Sequence, residues 1–557
     1  MLTKIKYRIK VLKILRPFSY GVNKFLLFNG LAALISMGLG FVLPLFYKLF
    51  VDDVILGQQF SLMPLVAVGY VTIFILNMGL SYAKNYFCNR WTNRVTFRAK
   101  MKMLKGFFDR EFTEYDNQSV GDMRMRIEDD TLIIADYAEK QSFGYVKAYL
   151  TMIIAVILLF LIEWRLALFS CIGIPLTLWL DHLIAGREAK ILDKQRENDE
   201  KMSSWLHASV QGWREIKALN LQKHEERKFA HFIHNFAILN GMWINYWVAR
   251  VLIIPKIKEE FVMRFCLYFF GGLLIMTRNF EIGSLLVFMQ YYALLSGALE
   301  TVSGADAELT ATLPKTERLL NELNRAFEKK RGIGFPNGNG EISFENVCFM
   351  YPGSADKVVD NLSFSIRKGE RVAINGRSGA GKTTTLKLML GMLNPSSGDV
   401  KISDIPVREI CQDAIFKHFG IVMQDNMLFN TSIKENLRYA KPEATESELI
   451  EVCRKVFILD FVNKLPDGLD TVIGERGIKL SGGQKQRIVL ARLILRDVDV
   501  LIFDEATSAL DQYSESLVQD AIKSISSDKT VIIVAHRKNS LKLCDRVVEL
   551  KAQELSC

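Results

Sequence analysis

A glycine-rich turn ends in a lysine and a threonine at residues 376–383, whose sequence is GRSGAGKT. The turn matches the G-x-x-x-x-G-K-[ST] pattern and lies between the β-branched run Arg371–Ile374 and a helical stretch at 384–393, as that pattern requires. The glycines let the backbone curl so that its N–H groups face phosphate oxygens, and the helix N-terminus adds a partial positive charge. Lys382 is expected to neutralise the β- and γ-phosphates, and the Thr383 hydroxyl to bind Mg²⁺. The nucleotide contacts predicted in this segment are Gly376, Arg377, Ser378, Gly379, Ala380, Gly381, Lys382, Thr383 and Thr384.

Two adjacent carboxylates, Asp504 and Glu505, follow the apolar run 500–503. Ligands of open α/β sheets bind at the carboxyl ends of the strands, so we expect both acids on the side of the glycine-rich turn. Asp504 would hold Mg²⁺ through a water molecule, and Glu505 would be the general base that polarises the attacking water. The alternative, a strand ending in ordinary surface acids, fits poorly with acids placed directly after four apolar residues. The pattern therefore predicts ATP hydrolysis.

Six apolar stretches of membrane-spanning length occupy the first half of the chain. A helix needs about 20 such residues to cross a hydrocarbon core of about 30 Å. The stretches are 26–50, 63–83, 145–162, 166–184, 250–276 and 282–303. Lys and Arg but no acid precede the first stretch, and the long connectors at 84–142 and 187–247 are also basic. Because basic loops remain cytoplasmic, we predict a multi-pass protein of the cell membrane (plasma or inner membrane) with both termini in the cytoplasm.

The composition changes after the last apolar stretch. A charged helix and a glycine-rich segment are typical of a linker, and beyond them short β-branched runs alternate with helical stretches. That alternation indicates an α/β domain with a largely parallel sheet. We therefore predict a transmembrane domain at 1–304 with two cytoplasmic extensions, a linker at 305–340 and a nucleotide-binding domain at 341–557.

The formal net charge of +10 does not by itself indicate a nucleic-acid partner. Basic cytoplasmic loops of a membrane protein give the same sum, so no nucleic-acid partner is predicted. The eight cysteines have no CxxC or CxxH spacing, which argues against a zinc site or a disulfide framework.

Further motifs resemble those of ATP-binding cassette (ABC) exporters, specifically half-transporters in which membrane and nucleotide domains are fused. The most specific is Leu480-Ser-Gly-Gly-Gln484, which is similar to the signature loop of the family. The run Asp504–Asp511 resembles the strand that leads into the family's D-loop. Positions that match other family motifs are His536 (switch histidine), Gln424 (Q-loop, although many members have Pro where this chain has Met423), Tyr351 (adenine-stacking aromatic) and Gly474–Gly477 (X-loop). Residues 112–129 resemble the first coupling turn, and Gln211–Ala218 resembles the helix that returns from the second.

The resemblance implies a multidomain membrane protein: a six-helix, all-α exporter-type transmembrane domain followed by an α/β P-loop ABC ATPase domain. It implies ATP and Mg²⁺ as cofactors, with Thr383 and Gln424 as metal ligands and Glu505 and His536 as catalytic residues. It also implies a head-to-tail dimer in a lipid bilayer, in which the signature loop acts on the ATP of the partner, and because this chain has every residue that one site needs, we expect a homodimer. The signature residues concerned are Ser481, Gly482, Gly483 and Gln484, and Asp511 is the corresponding D-loop residue.

The resemblance also predicts two features of the chain ends. The family usually continues beyond the last strand with another turn and helix, so we expect a looser C-terminal edge here. No cysteine-protease domain precedes the first span, so leader cleavage is not expected.

One charged cluster bears on the substrate. Lys256, Glu260 and Arg264 are spaced i, i+4, i+8 in the fifth apolar stretch and so share one helix face. Charges at that depth usually face a water-filled cavity, which favours a polar cargo such as a peptide. The alternative is that the three merely pair with one another at the inner interface. A peptide exporter, a multidrug or lipid exporter, and a non-transporting regulatory ATPase all remain open.

Overall fold

The computed structural model describes the chain outside a set of short segments. The segments not described are 1, 111–119, 258–263, 279, 326–331, 337, 339, 352–355, 378, 424–426, 475–476, 505–511, 526–528, 535–543 and 551–557. Six predicted site residues lie outside the described residues: Glu260, Ser378, Gln424, Glu505, Asp511 and His536. The chain divides into a helical unit (Met1–Leu104 and Gly121–Arg325) and an α/β unit (Lys105–Val120 and Ala326–Cys557).

Long helices build the helical unit. The helices are α1 (Leu2–Leu15), α2 (Asn23–Lys48), α3 (Met63–Phe108), α4 (Val120–Glu128), α5 (Ile133–Ala138), α6 (Tyr145–Ile162), α7 (Trp164–Gln211), α8 (Trp213–Ala218), α9 (Gln222–Val248), α10 (Cys266–Arg278) and α11 (Ile282–Asn324). Helix α3 has 46 residues and α7 has 48. At 1.5 Å per residue each is about 70 Å long, more than twice the hydrocarbon thickness of about 30 Å. A helix of this length is long enough to continue well beyond a membrane, as predicted for the two basic connectors.

Within the described residues, four helical segments are long and apolar enough to cross a membrane. They are Asn23–Leu56, Phe60–Phe108, Met123–Ile162 and Ile282–Asn324, and the shorter apolar helix Leu267–Thr277 falls in the predicted fifth span. The apolar part of α3 is exposed along its length, with Leu65 70% and Met78 68% exposed. Such a surface suits contact with lipid rather than water.

The interior of the membrane bundle is an apolar cluster between α6 and α11. Phe288 and Tyr292 of α11 and Leu159 of α6 are buried, and the Tyr291 hydroxyl donates to the Phe41 carbonyl oxygen of α2 at 2.9 Å. This bond satisfies the one polar group that Tyr291 brings into the apolar interior. The pair Tyr291 and Phe41 thus fixes α11 against α2.

The second long connector is a helical hairpin whose tip differs from the prediction. Residues Gln211–Ala218 do not begin the returning helix: α7 ends at Gln211, α8 is a separate six-residue helix, and the returning helix α9 begins at Gln222. Asn220 adopts a left-handed φ of 55° between them. Because the helix is interrupted twice within ten residues, Gln211–Ala218 belongs to the turn of the hairpin and not to its returning helix. The two arms are joined where Glu188 of α7 accepts hydrogen bonds from Trp243 and Arg250.

Two sheets form the framework of the α/β unit. Their strands are β1 (Ile342–Met350), β2 (Lys357–Ile366), β3 (Arg371–Asn375), β4 (Ser397–Ile402), β5 (Ile405–Pro406), β6 (Phe419–Val422), β7 (Val500–Asp504), β8 (Thr530–Val534) and β9 (Arg546–Glu549). The antiparallel sheet has the order β2-β1-β4-β5, and the parallel sheet has the order β6-β7-β8-β3-β9. Every residue of β7 and β8 is buried, as in a parallel sheet covered on both faces.

Seven described helices belong to this unit. They are α12 (Lys382–Met389), α13 (Gln412–His418), α14 (Ile433–Arg438), α15 (Glu446–Lys455), α16 (Leu459–Asn463), α17 (Gly482–Arg496) and α18 (Gln512–Ile525). Two apolar clusters result, one around α12 and the strands β1 to β4, the other around α14 to α17 and one face of β7. The turn after β3 belongs to the first cluster, and α17 belongs to the second.

Candidate nucleotide site

The glycine-rich turn connects β3 to α12 as predicted. Gly379 and Gly381 adopt φ values of +83° and +81°, a region that only glycine enters at low cost. Gly381 is also the N-cap of α12 and has no side chain with which to cap it. A Cβ at this position would lie 2.7 Å from the Val358 carbonyl oxygen. The first-turn amides of α12 therefore face a concave turn without a capping side chain, which is the geometry of an anion site.

Lys382 brings a positive charge under this turn. Its side chain is buried, and its ammonium donates to the carbonyl oxygens of Gly376 and Arg377 at 2.9 Å each. Arg377 and Thr383 are exposed, whereas Ala380 and Thr384 are buried. The turn thus holds the ammonium in place and presents the Thr383 hydroxyl outward.

Tyr351 lies beside the same helix. Its hydroxyl is 3.3 Å from Thr384 Oγ1, and its ring packs edge-on against Phe349 at 5.0 Å between centroids. The structure therefore brings the predicted adenine-stacking aromatic to the start of α12.

The strand order places the carboxylate near the turn. β8 lies between β3 and β7, and Asp504 pairs with Val534 at the carboxyl end of the sheet. Asp504 is buried, 8% exposed. Glu505 comes directly after Asp504, and His536 follows Val534 by two residues in sequence, but both lie outside the described residues. The carboxyl ends of β3, β7 and β8 therefore share one edge.

The oxygen atoms at this edge suit a magnesium ion. Mg²⁺ prefers hydroxyl, carboxylate and phosphate oxygens, and the exposed Thr383 hydroxyl and the Asp504 carboxylate are of these kinds. Among the described residues no group of three or more His, Cys, Asp or Glu side chains resembles a self-sufficient metal site. A metal here would depend on the phosphates for further ligands.

The signature segment begins a second helix, α17. Ser481 is the N-cap: its hydroxyl accepts from the Gln484 amide at 3.3 Å, and the Gln484 side chain accepts from the Ser481 amide at 2.8 Å. This reciprocal pair is a capping box. The amides of Gly482 and Gly483 have no acceptor within the helix. Two residues of the predicted signature loop thus also define where α17 begins.

Asn436 and Arg492 form a buried network that motif matching misses. Asn436 is fully buried in α14, and its amide nitrogen donates to Phe429 O at 3.0 Å and Thr431 Oγ1 at 2.9 Å. Arg492 of α17 donates to Asn436 O at 2.7 Å and to Met427 O at 3.0 Å. Burial lowers the pKa of Arg492 from its ordinary value. The network ties the segment after Gln424 to the signature helix, and only the contacts of the fold reveal it.

The helical unit contains a cavity of about 770 Å³ between α2, α3, α6 and α11. Lys256 and Arg264 are exposed and do not line it, while Glu260 lies outside the described residues. The charged residues that do line it are Lys84, Lys140, Lys147, Glu300 and Glu308. They come from α3, the segment 139–144, α6 and α11, so no pattern within a single segment could have grouped them. The predicted role of Lys256, Glu260 and Arg264 stays a prediction.

The fold and the site define a class: a membrane-embedded helical bundle fused to a P-loop ATPase. Comparison with known proteins agrees. The family model of the ABC transporter matches residues 359–508, and that of the ABC transporter transmembrane region matches residues 26–299. The chain belongs to the ABC transporter family, as an exporter with its membrane and nucleotide-binding domains in one polypeptide.

Relatives and a solved structure extend over nearly the whole chain. Proteins of Staphylococcus aureus strain NCTC 8325 / PS 47 and of the bovine strain RF122 / ET3-1, both provisionally named multidrug export ATP-binding/permease proteins, are 27% identical over 97% of this chain and 94% of theirs. The structure of a bacterial Atm1-family ABC exporter with ATP bound has a similar fold, with a TM-score of 0.80 and 23% identity over 96% of this chain and 95% of that chain. The protein is thus a multi-pass membrane exporter that couples ATP hydrolysis to transport.

Proposed function

We propose that two copies of this chain bind two ATP molecules between them and that closure of this dimer drives export. The observation that carries the proposal is that one chain supplies one glycine-rich turn and one signature helix, two different anion-binding helix starts. In a head-to-tail dimer, Ser481 and Gly483 of one copy would contact the γ-phosphate held by Lys382 of the other. Each site would then be complete only when two copies meet.

The exposed tip of the α7–α9 hairpin supports an assembly. Val210, Trp213 and Leu219 are 64%, 56% and 67% exposed, an apolar surface beyond the membrane-length part of the helices. Apolar patches of this kind are typical of contact surfaces. In the proposed dimer this tip is one of the surfaces that transmit closure.

Each residue of the site has its own proposed role in ATP binding or hydrolysis. Lys382 and the amides of the glycine-rich turn would hold the β- and γ-phosphates, Glu505 would polarise the attacking water, and His536 would contact the γ-phosphate. Thr383 and Gln424 would hold Mg²⁺, and Asp504 would hold it through water. When bound, the ion neutralises charge on the transferred phosphoryl group.

For the cargo, we propose a small amphipathic compound. The cavity volume of about 770 Å³ lies within the range of about 300–1,000 Å³ typical of small-molecule sites. The names of the Staphylococcus relatives agree with this class. Peptide export is the second candidate, because Lys256 and Arg264 are charged residues placed in a predicted span. We further propose that both termini are cytoplasmic, since basic residues precede the first span.

Glu505→Gln tests whether Glu505 is the general base of ATP hydrolysis. The variant should bind ATP with Mg²⁺ and keep the dimer closed, while ATP turnover in proteoliposomes falls at least about 100-fold, because the amide cannot accept the proton. Glu409→Gln, which changes an exposed glutamate away from the site, is the matched control. Turnover at the wild-type rate in Glu505→Gln would refute the assignment of the base. ATP-dependent uptake into inside-out vesicles separates a transporter from a non-transporting ATPase.

A further inference from the structure

The cavity in the helical unit has an uneven charge distribution. Among its described lining residues are three lysines and two glutamates. Lys140 is paired, with its ammonium 2.9 Å from Glu308 Oε1 and 3.6 Å from Asp136 Oδ1. One lysine is therefore neutralised by an acid of the cavity wall.

Lys147 has different surroundings. It lies in α6, it is half-buried, and no described carboxylate pairs with it. A second cation, Lys84 of α3, also lines the cavity. Lys147 lies 15 residues before the end of α6 at Ile162, which is about 22 Å along the helix and less than the hydrocarbon thickness of about 30 Å. An ammonium at that depth normally pairs with an acid or serves a ligand pathway.

The rest of the cavity wall is amphipathic. Met37, Phe41 and Leu294 give it an apolar side. Ser36 donates to Asn77 Oδ1 at 2.6 Å, and Thr151 adds a further hydroxyl near Lys147 in the sequence of α6. A ligand that fits both parts must combine an apolar body with an anionic group.

We propose that this cavity binds an anionic amphipath, a molecule with one carboxylate, sulfate or phosphate group and an apolar tail. Lys147 would hold the anionic group, and Met37, Phe41 and Leu294 would contact the tail. That this ligand is the exported cargo rests on the proposed function. Its binding to the cavity does not, and is measured separately.

The test uses the full chain in nanodiscs of neutral phosphatidylcholine. The probe is 11-(dansylamino)undecanoic acid, and its methyl ester has the same tail without the charge. We expect the acid to bind at least about tenfold more tightly than the ester, since a charge-assisted contact in a cavity is lost with the ester. Lys147→Met should remove that preference, Lys147→Arg should keep it, and Lys194→Met, an exposed lysine outside the cavity, should leave it unchanged. Equal binding of acid and ester by the wild type would overturn the proposal, and so would a Lys147→Met variant that retains the preference.

Further measurements separate the outcomes. The same binding is measured in discs that contain phosphatidylglycerol, an anionic lipid. If the lipid displaces the probe, the site binds a lipid head group; if the probe stays bound, the site binds a soluble amphipath. A wild-type chain that hydrolyses ATP but has no preference for the acid overturns the cavity proposal alone. A wild-type chain that prefers the acid, but whose inside-out vesicles accumulate no tested amphipath with ATP, overturns the export function alone.

Discussion

The α/β unit contains two helices that begin in a loop suited to anions, and the two begin differently. The N-cap of helix α12 is Gly381, which has a left-handed φ and no side chain to cap the first turn. The N-cap of helix α17 is Ser481, and its hydroxyl and the Gln484 side chain cap the helix reciprocally. Of these two helices, within the part of the chain that the structure describes, only α12 has a buried lysine beneath its loop. This difference indicates that a bound anion would satisfy the first-turn amides of α12. Helix α17 is already capped by protein side chains and can serve as a second contact to the ligand.

The largest difference should follow removal of the lysine charge. Lys382→Ala should lower ATP turnover at least about 100-fold, because a preorganised charge at the phosphates is lost. The change also leaves the carbonyl oxygens of Gly376 and Arg377 without this donor. Steady-state ATPase in proteoliposomes measures the effect, with the exposed Lys464→Ala as control. A loss below about fivefold would mean that α12 does not hold the phosphates as described.

Two glycines of the turn separate backbone strain from lack of space. Gly379→Ala and Gly381→Ala both place a Cβ at positive φ, which costs about 1–2 kcal/mol each. Around Gly379 there is open space, whereas at Gly381 the new Cβ would meet the Val358 carbonyl oxygen at 2.7 Å. We expect Gly381→Ala to weaken ATP binding by at least about tenfold more than Gly379→Ala, since about 1.4 kcal/mol of extra strain corresponds to a factor of ten. Equilibrium binding of a fluorescent ATP analogue measures it, and equal losses would show that the tight packing at Gly381 is unimportant.

The capping box of α17 should give the smallest effects. Ser481→Ala and Gln484→Ala each remove one half of the cap, and the loss of a cap of this type costs about 0.5–2 kcal/mol of stability. The two variants should therefore shift the midpoint of thermal unfolding by similar amounts. Turnover should fall further in Ser481→Ala, because Ser481 is also the proposed γ-phosphate contact. Equal turnover in the two variants would reduce Ser481 to a structural cap.

Much of the ATPase unit could be predicted from local sequence, because its elements depend on local patterns. The strand predicted at Arg371–Ile374 is found at Arg371–Asn375, directly before the glycine-rich turn. The helix predicted at 384–393 ends earlier, at Met389, because Gly391 takes a φ of +65° and the Met392 amide bonds back to the Lys387 carbonyl oxygen. The capping role of Ser481 and Gln484 also had a local signal, the S-x-x-Q spacing.

The membrane unit was less predictable at the level of single residues. Hydropathy identifies the spans, but it does not tell which side chains of different helices face one cavity. Lys84 and Lys147 are 63 positions apart and lie on different helices, yet both line the same cavity. The spacing of Lys256 and Arg264 predicts only that they share one face of a helix. It does not tell whether that face lines this cavity.

The central claim, that two copies close around ATP, is tested most directly by a distance between copies. One nitroxide label per chain is attached at Glu443→Cys, an exposed turn of the α/β unit, in a variant without the eight native cysteines. In lipid nanodiscs, double electron–electron resonance on Glu505→Gln should give one defined distance between the two labels, and this distance should shorten when ATP and Mg²⁺ are added. If no dipolar coupling between labels is detected, or if the distance is the same with and without ATP and Mg²⁺, the dimer mechanism is contradicted.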